Sequence, residues 1–133
     1  MSEDLERLTE RLLGAALKAG ADAADTLAVD GTSISIDVLK GKLEHAERSE
    51  GIDLGLRVLI GQRQACVSSS DISEAAIALM AEQAVAMARE APADSSVGLA
   101  DPGQLARAWD LAALDLDDPA AEPAPADLQD AAC

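Results

Sequence analysis

The sequence predicts an α+β domain. An antiparallel sheet of about four strands carries two long helices on one face, in the order helix, strands, helix, and an acidic tail follows. Three observations predict this. Apolar residues recur at three- and four-residue spacing near the start and again between Ile77 and Ala88, the period of a helix with one buried face. Between those segments the pattern changes to period-two alternation, the mark of half-buried strands. All five prolines fall from Pro92 onward and none in residues 1–91, so the chain changes character near Ala91.

The first helix places Leu5, Leu8, Leu12 and Ala16 on one face, with Glu3, Glu6, Arg7, Glu10 and Arg11 on the other. Ser2 can cap its start, and Gly20 in "KAGAD" stands where a left-handed residue closes a helix. Two strand patterns follow, "DTLAVDG" and "TSISIDVLKGK". Gly31 and Lys40-Gly41 are the expected turns, and Ile34, Ile36 and Val38 share one face. The short run "LEHAERS" leads through Glu50-Gly51 into "IDLGLRVLIGQRQACVSSS". There Ile52, Leu54, Leu56, Val58 and Ile60 point one way, and Asp53, Gly55, Arg57 and Leu59 the other. The break at Gly61-Gln62 makes this a hairpin, and one apolar face with one mostly polar face describes a sheet wet on one side.

The second helix is expected to begin at "SDISE", with Asp71 and Glu74 at capping-box spacing. Ile77, Met80, Ala84, Met87 and Ala88 form its packing stripe, and Pro92 ends it. Residues 1–91 therefore form the α+β domain, and 92–133 an acidic linker or tail. That tail holds eight Asp and one Glu against one Arg, a net charge of −8. Its last residues, "ADLQDAAC", have helix-forming composition with Asp127 as N-cap candidate, as if a further domain were about to begin.

Composition excludes several functions. The net charge of −15 with only ten Lys and Arg, one Trp and no Phe or Tyr leaves neither the cationic patch nor the stacking platform that nucleic acid requires. No apolar run is long enough to cross a membrane, and "MSEDLERLTERL" lacks the apolar core of a signal peptide. The expected compartment is the cytoplasm, where Cys66 and Cys133 are free thiols.

No catalytic, cofactor-binding or metal-ligating residue is assigned. His45 is the only histidine, and a zinc site or acid–base pair ordinarily needs further ligands or partners; it reads as a surface residue. Ser68, Ser69, Ser70 and Asp71 lack a neighbouring base and read as strand end and helix cap. Cys66 reads as a buried, inert thiol. Gly51, Gly55 and Gly61 are too widely spaced for a phosphate loop, and Glu44 with Glu47 reads as a solvated edge.

The stretch "ALKAGADAADTLAVDGTSISIDVLKGKLEHAERSEGIDLGLRVLIGQRQACVSSSDIS" resembles the N-terminal domain of the TldD/PmbA family. The points of likeness are the helix exit Gly20-Ala21-Asp22, the turn Lys40 to Glu47, the strand Gly51 to Val58 and the helix start Ser69 to Ser73. "SSVGLADPGQLA" and "LDLDDP" are closer to the PmbA branch, also called TldE. The resemblance implies a non-catalytic domain in one component of a cytoplasmic metallopeptidase complex that degrades or processes peptides, a family with the older label "modulator of DNA gyrase". It implies a heterodimer with a TldD-type subunit. Zinc or a similar divalent metal is expected only in that partner, through an HExxxH helix in its C-terminal half, and no such motif occurs here. The domain would be part of the substrate cavity or the subunit contact, and its sheet would give a peptide or partner an edge to pair with. The alternative is a free-standing acidic binding or adaptor module on the same fold.

Overall fold

The computed structural model describes residues 2–133, with side chains from Asp4 onward. The cap expected from Ser2 and the placement of Glu3 lie outside the described side chains. The order is α1 (Ser2–Ala19), β1 (Ala23–Leu39), β2 (Lys42–Ile60), β3 (Arg63–Ser69), α2 (Glu74–Glu90), a short 3-10 turn (Pro102–Gln104), α3 (Leu111–Leu114) and α4 (Pro125–Ala132). The strands form one antiparallel sheet in the order β1-β2-β3.

The sheet has three strands where about four were expected. Gly31 lies inside β1, so the two strands expected on either side of it are one, and the run before Glu50-Gly51 belongs to β2 and lengthens it. The reason is conformational. Gly31 and Gly51 keep negative φ, whereas the real turns have Lys40 at φ 53°, Gly41 at 74° and Gly61 at 58°. Consecutive positive φ at Lys40-Gly41 is the geometry whose twist suits a two-residue hairpin.

The chain divides into two compact units. The first comprises the residues up to Gly31 together with Glu50–Leu99, and the second Thr32–Ser49 with Ala100–Cys133. In the first unit, Leu8, Leu12 and Ala16 of α1 and Ile77, Met80, Ala81, Ala84, Val85 and Ala88 of α2 pack with Leu54, Leu56, Val58 and Ala65 of the sheet. Leu12, Leu54, Leu56 and Val58 are the largest fully buried side chains. With no Phe or Tyr available, this core is aliphatic, and small alanines let the helices approach closely. Met87 departs from the expected stripe. It is exposed, and Ala81 and Val85 complete the buried face instead.

The helix ends follow local chemistry. Gly20 at φ 113° closes α1 as its N–H donates to Leu17 O at 3.2 Å, and Ala21 N–H donates to Ala16 O at 3.1 Å. These are the two bonds of a Schellman motif. At α2 the N-cap is Ser73, whose hydroxyl accepts from Ala76 N at 3.2 Å; the expected Asp71–Glu74 box is displaced. Asp71 Oδ1 instead accepts from Ser73 N at 2.9 Å, which sets the chain turning into the cap. Glu74 pairs with Arg11 of α1 at 3.3 Å.

In the second unit, Ile34, Ile36, Ala46, Glu47, Arg48, Glu122 and Pro125 line a hollow of about 210 Å³, and Arg48 pairs with Glu122. None of the tail's short helices holds a buried residue, as its acidic composition predicts. Asp127 is not the N-cap of α4. It stands within the first turn and reaches back to accept from Ala124 N at 3.3 Å. No helix among the described residues is long and apolar enough to cross a membrane.

Candidate functional site

Alternation in β1 sends Ala24 and Ala28 to the core and leaves Asp25, Leu27 and Val29 on the open face. The same period in β2 buries Leu54, Leu56 and Val58 and leaves Asp53, Gly55 and Arg57 opposite. Within the first unit this open face holds the strongest polar constellation outside the helix caps. Arg57 Nε donates to Asp25 Oδ1 at 2.9 Å, and Arg57 Nη2 to Asp25 Oδ2 at 2.6 Å. The planar fork of the guanidinium matches the carboxylate, so the pair fixes β1 beside β2 in one geometry.

The hydrogen bond from Arg57 holds the Asp25 carboxyl below its ordinary range. Asp25 in turn raises Arg57 further. Both stay charged near neutrality, so the pair is a fixed clamp and supplies no proton-transfer group.

Beside the pair lies a hollow of about 250 Å³ lined by residues that include Leu27, Gly55, Arg57 and Cys66. A side chain at Gly55 would meet Leu27 at about 4 Å, so its absence opens the space. Leu27 and Val29 are 66% and 48% exposed. Cys66 is the cross-strand partner of Arg57 and is exposed, which corrects the expectation of a buried thiol. Ala65 takes the core position and strand alternation turns Cys66 outward. Ala65, Cys66 and Val67 are all small and nonpolar, so the register was hidden in the sequence.

The other singled-out residues are not brought together. His45 is exposed on β2, with Nε2 3.5 Å from Glu47 Oε2, and Glu44 is exposed on the same strand. Ser69 Oγ accepts from Asp71 N at 3.0 Å, a turn-stabilising role. Among the described residues no group of three or more His, Cys, Asp or Glu side chains is placed to hold a metal ion. A catalytic zinc site takes three protein ligands. The lone imidazole, exposed and beside a single carboxylate, does not fit one. The Asp25–Arg57 pair was missed in the sequence. Opposite charges at open-face positions of two adjacent strands were its only signal.

Residues 24–88 match the family model described as PmbA/TldA metallopeptidase domain 1. The chain is 31% identical over 99 residues to the metalloprotease PmbA homolog of Haemophilus influenzae. It is 34% identical over 99 residues to metalloprotease PmbA of Escherichia coli O157:H7. Each alignment covers 74% of this chain and 22% of the relative, so the chain spans about a fifth of the length of the curated relatives it matches. The fold is shared with a proposed modulator of DNA gyrase from Bacteroides thetaiotaomicron, at TM-score 0.70 and 19% identity over 79% of this chain and 24% of that one. It is also shared with TldE from Thermococcus kodakarensis, at TM-score 0.63 and 19% identity over 77% and 23%.

Proposed function

The chain belongs to the PmbA/TldD family, with residues 24–88 as the family's first domain, and from that premise we infer that it serves as a non-catalytic, PmbA/TldE-like part of a peptidase complex. In this reading the domain forms part of the substrate cavity or of the contact with a TldD-type subunit. The complex works on peptides in the cytoplasm, and the divalent metal belongs to the TldD-type partner.

The observation that carries the reading is the open sheet face of the first unit. A bidentate Asp25–Arg57 clamp stiffens it, and exposed Leu27 and Val29 make it partly apolar. Such a surface holds a neighbour in register and does not cut bonds. The test is hydrolysis of unstructured peptides by the chain alone, with and without added zinc. The reading predicts no cleavage in either condition. Cleavage by the chain that is lost on adding a chelator would overturn it.

A further inference from the structure

Residues 105–116 of the second unit carry apolar side chains that an acidic linker does not require. A stretch that only spans between folded parts is polar and poor in aromatics. This one holds the chain's single Trp, in a sequence without Phe or Tyr, and Trp109 is 69% exposed. Leu105, Leu111, Leu114 and Leu116 are exposed around it. Local structure gathers three of these side chains. Asp110 caps α3, its Oδ1 accepting from Ala112 N at 3.0 Å and from Ala113 N at 3.2 Å. Asp115, at φ 49°, closes the turn as its N–H donates to Ala112 O at 3.3 Å. With Asp110 as N-cap, Trp109 and Leu114 stand at the two positions that a hydrophobic staple joins across a helix start. Leu111 and Leu114, three residues apart on the same turn, are neighbours on its surface.

We propose that Trp109, Leu111 and Leu114 form a docking motif that seats in an apolar groove of another protein, a groove whose rim carries Lys or Arg. Amphipathic helical turns enter grooves through anchors at such spacing, and Trp is among the residues that most often carry the binding energy of a contact. The capped turn is already formed, which lowers the ordering cost of binding. The basic rim follows from charge. Asp110, Asp115, Asp117 and Asp118 flank the anchors against the single base Arg107, so a rim of opposite sign attracts the motif and steers its approach. The same charges decide against other occupants. A second copy brings a net charge of −15 against its like, and anionic membrane surfaces attract basic segments, not acidic ones. The motif lies outside residues 24–88, the matched family domain, so its docking does not depend on the peptidase-subunit reading.

Because Trp109 is the only Trp, the intrinsic emission of the whole chain reads this motif alone. The probe is a synthetic helical hairpin whose leucine groove is rimmed by lysines, with a glutamate-rimmed version as its control. The lysine hairpin should shift Trp109 emission to the blue and bind about tenfold tighter than the control, as expected where matched charge separates right from wrong partners. Leu114→Ser keeps every charge at an exposed position and should weaken binding about tenfold, the loss of one anchor. Changing Asp115, Asp117 and Asp118 together to Asn should flatten the salt dependence of binding, the mark of rim charges. Unchanged binding by Leu114→Ser would overturn the proposal, because the hairpin would then be reading net charge and not the anchors. So would blue-shifted emission from the free chain at high dilution, since the chain itself would already cover the indole. A larger blue shift with zwitterionic lipid vesicles than with the lysine hairpin would make a membrane the occupant and likewise contradict it.

Discussion

Arg57 on β2 grips Asp25 on β1 with both ends of its guanidinium, at 2.9 and 2.6 Å. The two residues are 32 positions apart and meet on the open face of the sheet. The clamp locks β1 to the middle strand beside Leu27, the most exposed large apolar residue among those described in the first unit. Both partners remain partly exposed, so solvent screens the pair. Arg57→Ala should therefore cost only about 0.5–1 kcal/mol, the upper range for a surface pair with good geometry.

The same pair makes a pH prediction. Asp25 has a folded pKa held below its ordinary 3.8 by the hydrogen bond from Arg57. A depressed carboxylate contributes stability that is fully present above the unfolded value and lost as pH falls through the folded one. Urea titrations of wild type and Asp25→Asn should thus differ at pH 7 and converge progressively below about pH 4. A constant difference down to the acid limit would count against the clamp.

Gly20 and Gly31 should respond in opposite ways to alanine. Gly20 sits at φ 113°, and an added Cβ would stand 3.0 Å from Arg89 Nη2. Gly20→Ala should cost on the order of 1–2 kcal/mol, the penalty for a side chain in left-handed backbone. Gly31 is in extended β1 with nothing within 4 Å of the new atom, so Gly31→Ala should be neutral or stabilise by up to about 1 kcal/mol. Thermal melts of both variants decide whether β1 is one strand; a large loss at Gly31 would restore the turn.

At the start of α2, Ser73→Ala should lower stability by about 1 kcal/mol, the usual worth of a helix N-cap. Asp71→Ala should cost less, because Asp71 only supports the turn into the cap. Chemical denaturation of the two variants ranks them, and the reverse order would reinstate the Asp71–Glu74 box.

Cys66 should react with a thiol reagent in the native state. In a Cys133→Ser background one thiol should be titrated rapidly, at a rate that does not rise with urea below the unfolding transition. Slow labelling that tracks global unfolding would mean a buried thiol and a shifted β3 register.

These contrasts show how far the sequence could be read. The helix faces were legible because Leu8, Leu12 and Ala16 must share a side at helical period. The turns at Gly41 and Gly61 coincide with breaks in strand alternation, so they too were visible. Gly31 reads as a turn because a glycine inside a strand has the same letter as one in a turn, and only its φ tells them apart. The cap at α2 was displaced because Asp71 and Ser73 both accept backbone hydrogen bonds, and local spacing does not choose between them. Met87 was misplaced because helical period alone does not fix where a stripe ends once small alanines can fill its place. The Asp25–Arg57 clamp depends on the pairing of two strands far apart in sequence. The family resemblance was carried by turn and strand residues spread along the chain.

The most direct test of the proposed role is sedimentation velocity of the chain mixed with a TldD-type subunit of the same family. A contact or cavity domain predicts a faster-sedimenting complex that contains both chains, weakened by placing a charge at Leu27 or Val29 on the open face. Two boundaries that never merge at any ratio of the two proteins would contradict the peptidase-subunit account and leave a free-standing acidic binding module.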